Sequence, residues 1–195
     1  MIEFPSHIDS SITLAINDIA SRAGSAVTGM SVFCSRKDTW IPLYILTAVF
    51  LVRQMGWKKA LLTIAGVAVC IGLCDQTANL FKHGFERLRP CYNQHVLQEG
   101  LNIFEKRGSL FGFFSAHAAI TFGTNTCAIF CLRKAIGRFH LPFSSAAIFW
   151  ALAVSLSRVV VGKHFFGDIT AGAIIGIFYG YLVALALSFL LRKAG

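Results

Sequence analysis

Lys82 with Arg89-Pro90, Ser115 with His117, and Arg158 with His164 and Asp168 put fixed cations, a hydroxyl, two imidazoles and a carboxylate at the ends of apolar stretches. Such a set suits phosphoryl transfer. Positive groups hold the equatorial oxygens, a nucleophile stands in line with the scissile bond, and an acid protonates the leaving oxygen. Asp168 follows His164 by four residues, so the carboxylate can accept from one imidazole nitrogen and leave the other as a nucleophile. His117 can protonate a leaving alkoxide, while Ser115 and nearby backbone N–H groups at a helix start can receive phosphate oxygens.

Each motif alone has a plainer reading. Lys82 and Arg89 are seven apart, one helix face after two turns, with Pro90 as the stop; equally, they are membrane-boundary anchors. Asp168 precedes a long apolar run, where aspartate commonly caps a helix. Arg158 is harder to dismiss: it ends a run of uncharged residues from Phe139, and a charge at that depth needs a bound anion or a buried carboxylate. Asp75 and Glu86 share the helical face of Lys82, and Asp75 reads as its structural ion-pair partner. Taken jointly, three helix ends on one expected face gather these groups without any metal-ligand cluster.

The elements that must position them are set by composition. Of 195 residues, 55% are hydrophobic and 14% charged, with mean hydropathy +0.65. This is the membrane class. Uncharged runs at Thr39–Val52, Ala60–Cys74, Ala118–Leu132, Phe139–Ser157 and Ile169–Leu191 recur at span spacing, although the first two are short against the about 20 residues a span normally needs. The expected fold is an all-α integral-membrane bundle of five transmembrane helices, or six on the competing count, forming one domain over residues 1–195. Residues 1–38 supply an N-terminal interfacial helix near 8–33, on the helical stripe Ile8, Ile12, Ala15, Ile16, Ile19 and Ala23. Residues 39–195 form the core: spans near 39–54, 59–82, 115–133, 140–161 and 168–191, with an outer loop at about 89–114.

The formal charge of +9 is dispersed between apolar runs rather than gathered on one face, which argues against nucleic acid as a partner. Arg53, Lys58 and Lys59, then Arg133, Lys134 and Arg138, then Arg192 and Lys193 lie in alternate connections and mark cytoplasmic ends. Every chemical motif then falls on the opposite, extracytoplasmic side. No cleavable signal peptide is expected, and Thr39–Val52 would be the first insertion signal. Cys70 with Cys74 and Cys127 with Cys131 read as small hydrophobes within spans, and a Cys34–Cys91 bridge is not expected.

At these residues the chain resembles the type 2 phosphatidic acid phosphatase superfamily, whose pattern is Lys-x6-Arg-Pro, then Pro-Ser-Gly-His, then Ser-Arg-x5-His-x3-Asp. The first and third elements match fully, at Lys82–Pro90 and Ser157–Asp168. The middle one reads Phe114-Ser115-Ala116-His117, so the family's proline and glycine are replaced, which bears on the geometry of the loop next to phosphate. The resemblance implies that His164 attacks phosphorus to form a phosphohistidine, Asp168 orients it, and His117 protonates the leaving group and then activates water. Lys82, Arg89, Ser115, the Ala116 backbone and Arg158 would hold the phosphoryl oxygens, with no metal and no cofactor. The substrate implied is a phospholipid or isoprenoid phosphate in the bilayer: lipid A, undecaprenyl pyrophosphate, phosphatidylglycerophosphate or phosphatidic acid, at the outer face of a bacterial cytoplasmic membrane. The compact form leans toward lipid A or isoprenoid substrates. A phosphotransferase sharing the intermediate, or a lipid-phosphate binder without turnover, is the alternative.

Overall fold

The computed structural model describes residues 7–36, 38–133 and 136–193; Lys134 lies outside them. The helices are α1 (His7–Arg22), α2 (Ser25–Ser35), α3 (Ile41–Met55), α4 (Trp57–Phe85), α5 (Gln94–Gln98), α6 (Ala116–Leu132), α7 (His140–Val160) and α8 (Phe166–Lys193). Among the described residues no strand forms, only an isolated bridge between Leu88 and Phe111. The all-helical expectation holds. The count of spans is coarser than expected: among the described residues three helices, within Trp57–Phe85, Gly137–Val160 and Phe166–Leu191, are long and apolar enough to cross a membrane. With 15 and 17 residues, α3 and α6 reach only roughly 22 and 25 Å at 1.5 Å per residue.

The bundle is built inside-out relative to a water-soluble one. Its outer surface carries Leu61, Leu80, Leu141, Phe149 and Ile174, each at least 60% exposed, while the interior holds Cys70, Cys74, Ala78, Ala119 and Cys127. Small residues at helix contacts let backbones approach closely where lipid removes the hydrophobic drive between helices. The closest approach is α6 to α8. A carbon added at Gly176 would overlap the Ala119 carbonyl, and one at Gly180 the Gly123 carbonyl, so a Gly-x3-Gly-x3-Gly ridge from Gly172 to Gly180 seats α6. We expect Gly176→Ala to cost roughly 1–3 kcal/mol through overpacking. Gly72→Ala, whose added carbon meets nothing within 4 Å, should leave the thermal midpoint in detergent unchanged or raised.

Residue pairings give the helix directions. Gly172 meets Ser115 and Gly180 meets Gly123, so α6 and α8 run parallel. Cys74 bonds Ala119 while Gly66 meets Leu187, and Asn125 bonds Ala147, so α4 and α7 run opposite to both. The C-terminal ends of α4 and α7 and the N-terminal ends of α6 and α8 therefore share one side.

The N-terminal segment departs from the expected single helix. Gly24, at φ 99°, breaks it into α1 and α2. On α1, Ile8 and Ile19 are 69% and 68% exposed, whereas Thr13, Asn17 and Ala20 are buried and Ile16 packs against Ala118, Val159 and Ile169. Polar side chains fix the docked face. Asn17 donates to the carbonyls of Asn102 and Val160 at 2.9 and 2.8 Å and accepts from the Asn102 N–H at 2.8 Å. Beneath it, Leu14 and the outer-loop residues Val96, Leu101 and Ile103 pack around Phe165.

Candidate active site

Lys82 and Arg89 do meet at one cavity, but not as two turns of one helix. Helix α4 stops at Phe85, with Glu86 left-handed at φ 48°, and the chain returns extended through Arg89. There the Arg89 guanidinium donates to the Phe111 carbonyl at 3.1 Å and to Ser109 Oγ at 2.7 Å, and its backbone N–H to Leu110. Asp75 and Lys82 are joined through Asn79, which donates to the carboxylate and accepts from Lys82, both at 3.4 Å. The association of Asp75 with Lys82 expected from spacing runs through this asparagine.

The cavity, about 390 Å³, is lined by Lys82, Arg89, Ala116, His117, Arg158 and His164 at one end. Ile71, Tyr44, Trp150 and Val154 line it toward the middle of the bundle. A larger cavity of about 560 Å³ lies among the other helix ends, beside Lys59, Arg133 and Tyr181, and holds none of the motif residues. Chemistry, not volume, picks out the smaller one.

Each sequence-expected residue has a structural reason for its position. Ser115 caps α6, its oxygen 3.5 Å from the Ala118 N–H, and its own N–H donates to the Asp168 carbonyl at 3.0 Å, tying the starts of α6 and α8 together. Ala116 opens α6 in helical conformation, so a methyl in place of glycine meets no backbone conflict there. His117, half-buried, follows on the first turn. Arg158 is 4% exposed. The carboxylate that its position called for is Glu105, partly buried and 3.4 Å away, which also accepts from Lys163 at 2.9 Å and from Ser35 Oγ at 2.8 Å. Arg158 Nη1 donates in addition to the Ser35 hydroxyl and carbonyl. Burial alone would raise the Glu105 carboxyl, but the bonds from Lys163 and Ser35 hold it below its ordinary value.

His164 is 2% exposed, with Nδ1 at 3.4 Å from Asp168 Oδ2. Gly112 gives the ring room: an added carbon there would lie 3.5 Å from Nδ1 and 2.8 Å from Arg89 Cγ. Burial, then Arg158, Arg89 and Lys82, hold the imidazole well below 6.5, so it is neutral and able to attack. A depressed folded-state pKa means that the unfolded chain takes up the proton first. The stability contribution is therefore full above pH 6.5 and lost as pH falls below it, by at most about 1.4 kcal/mol per pH unit for one proton. Detergent-solubilised protein should lose thermal midpoint between pH 7 and pH 5, and His164→Gln should flatten that slope.

Two residues central to the geometry were not anticipated. Arg87 is 6% exposed and donates to Asp168 Oδ1 and to Asp9 Oδ2, both at 2.5 Å, with Phe165 beneath its guanidinium at 4.3 Å. Asp9 Oδ1 in turn accepts the Gly167 N–H at 2.7 Å, and Thr13 Oγ1 the Phe166 N–H at 3.0 Å, so α1 caps α8. Arg87 lies two residues before the motif arginine, and a second arginine there was the available signal. For Asp9, 78 residues away from Arg87, local pattern offered none. Among the described residues no group of three or more His, Cys, Asp or Glu gathers as a metal cluster, and all six cysteines are free.

The surrounding fold is shared. A crystal structure of a transmembrane PAP2 type phosphatidylglycerolphosphate phosphatase from Bacillus subtilis superposes with a TM-score of 0.68 at 19% identity, over 91% of this chain and 85% of that one. The Lipid A 4'-phosphatase of Bacteroides thetaiotaomicron is 36% identical over 184 residues, 93% of this chain and 78% of that protein. The Lipid A 4'-phosphatase of Porphyromonas gingivalis is 26% identical over 184 residues, covering 93% and 74% respectively. The PAP2 superfamily model matches residues 57–192, all of the three motifs included, and the chain belongs to that superfamily.

Proposed function

We propose that this membrane protein is a lipid phosphate phosphatase that hydrolyses the 4′-phosphomonoester of a lipid A-type glycolipid through a phosphohistidine. The observation that carries the reading is the cavity itself. Lys82, Arg89, Arg158 and two imidazoles gather at one end of a lining that also includes Arg36 and Asp75, and Tyr44, Ile71, Trp150 and Val154 continue it between the helices, where an acyl-bearing substrate has its apolar part. The sugar-phosphate preference follows the two Lipid A 4'-phosphatases that the chain resembles.

In the proposed reaction His164 Nε2 attacks phosphorus while Asp168 holds Nδ1. The bond to the leaving sugar oxygen breaks, and that oxygen takes the His117 proton. His117, now neutral, accepts a proton from water, whose oxygen attacks the phosphohistidine; inorganic phosphate leaves and His164 is restored. Lys82, Arg89 and Arg158 balance the charge on the phosphoryl oxygens, with Ala116 at the α6 start beside them, while Ser115, fully buried, holds that helix start as its cap. Those cations supply the stabilisation that a magnesium ion gives in many phosphoryl transfers, so activity should survive chelation.

Five spans, α3, α4, α6, α7 and α8, fit this reading, with α1 and α2 at the interface. The basic connections mark the cytoplasmic side, which turns the site outward, to the periplasm in a bacterial inner membrane. The outward isoleucines of α1 and Val27, Met30 and Phe33 of α2 then meet lipid.

The test is phosphate release from detergent-purified protein in excess EDTA, across lipid A carrying 1- and 4′-phosphates, undecaprenyl pyrophosphate, phosphatidylglycerophosphate and phosphatidic acid. Mass spectrometry of the lipid A product locates the phosphate removed. Loss of the 4′-phosphate is expected. Release only from another lipid would overturn the substrate, and no release from any would overturn hydrolysis in favour of a transferase or a binder.

A further inference from the structure

Asp168 cannot serve His164 alone, because its other oxygen is taken. Oδ1 accepts Arg87 Nη1 at 2.5 Å while Oδ2 faces His164 at 3.4 Å. A guanidinium fully paired with one carboxylate would neutralise it, and a neutralised pair stabilises a developing imidazolium poorly. That does not happen here because Arg87 has a second carboxylate. Nη2 binds Asp9 Oδ2 at 2.5 Å, in a site where the arginine side chain is 4% exposed, Asp9 14% and Asp168 0%. One positive and two negative charges leave the trio a net negative charge, and in this dry setting it is felt strongly by the neighbouring ring.

Asp9 reaches this position through α1, a helix outside the PAP2-matched residues 57–192. Its other oxygen fixes the Gly167 N–H at 2.7 Å, one residue before Asp168, so the same carboxylate sets both the charge and the backbone at the start of α8. Thr13, Asn17 and the outer loop hold α1 in register.

We propose that Asp9 is a positioning residue for the His164–Asp168 pair: by taking one arm of Arg87 it leaves Asp168 its negative charge and keeps the guanidinium off Oδ2, which accepts the Phe165 N–H at 2.9 Å and faces the attacking imidazole. The inference rests on the phosphatase reading above, and it makes the N-terminal helix part of the reaction machinery rather than only a membrane anchor.

A double-mutant cycle on the full-length, detergent-purified chain tests it, with kcat, KM and thermal midpoint measured for wild type, Asp9→Asn, Arg87→Gln and the double variant. Asparagine keeps an oxygen for the Gly167 N–H but turns an amide NH2 toward Arg87 in place of the accepting oxygen, so the charge and the bond to the guanidinium are lost together. Asp9→Asn should lower kcat about ten-fold, the low end of what losing an orienting partner costs, with KM within roughly two-fold. In the Arg87→Gln background no guanidinium needs balancing, so Asp9→Asn should cause no further loss, and the double variant should turn over faster than Asp9→Asn alone. Unchanged kcat in Asp9→Asn, or a full second loss in the double variant, would overturn the proposal. Should Asp9→Asn be too unstable to assay, the comparison of Arg87→Gln with the double variant decides by itself. Failure of the phosphatase reading would look different, since wild type itself would then release no phosphate.

Discussion

Replacing His164 by alanine should leave a folded protein that releases no phosphate from any lipid, a loss of roughly a thousand-fold or more, as when a covalent nucleophile is removed elsewhere. The ring is 2% exposed, so part of the cost of the substitution falls on packing; folding must be checked by thermal midpoint beside the assay. The chemistry separates the roles of the two imidazoles. Rapid mixing with radiolabelled lipid and acid quenching should trap phosphate on wild-type protein and none on His164→Ala. His117→Ala keeps the nucleophile but lacks the proton for the sugar oxygen and the base for water. It should react far more slowly with lipid A yet still label when the leaving group is a stable nitrophenolate that needs no proton. Equal labelling of His164→Ala and wild type would assign the nucleophile elsewhere. A protein that only binds lipid phosphate would show no label in any form.

Much of this site is legible from residue types because phosphoryl transfer limits the menu: cations, imidazoles and one carboxylate at helix ends. Arg158 shows how far the physics of burial carries, since a charge at the end of an uncharged run demanded a partner, and Glu105 is that partner. Geometry was less accessible. Lys82 and Arg89 were expected to converge along one helix, yet convergence comes from a left-handed Glu86 and an extended return, which no seven-residue spacing encodes. The stripe on α1 marks a helix, but one that stops before Gly24, and it does not foretell that Thr13 and Asn17 bond the backbone at Phe166 and Asn102. The Arg87–Asp9 contact and the glycine ridge of α8 depend on elements distant in sequence. Only tertiary packing reveals that Gly176 meets Ala119, or that an acid 78 residues upstream closes the guanidinium.

Arg158→Met should lower kcat/KM about 10²- to 10³-fold, the cost of removing one preorganised donor from a developing oxyanion. Methionine fills a similar volume, so a mainly structural arginine would show its loss in thermal midpoint instead. The geometry favours the catalytic outcome. Arg158 Nη1 is anchored by Ser35 and Glu105, which fixes the head of the side chain at the cavity that His164 and His117 also line. Glu105 keeps Lys163 at 2.9 Å after the change, so it is not left an unpaired charge. Arg158→Lys should recover little, because an ammonium on a flexible stem cannot hold Ser35, Glu105 and a phosphoryl oxygen at once, as a planar guanidinium can. The complementary change, Glu105→Gln, loosens the anchor while keeping the cation, so it should raise KM more than it lowers kcat. If instead Arg158→Met and Glu105→Gln reduce activity equally and only in step with thermal midpoint, the pair is a brace between α2, α7 and the outer loop, and the phosphate is held by Lys82 and Arg89 without it.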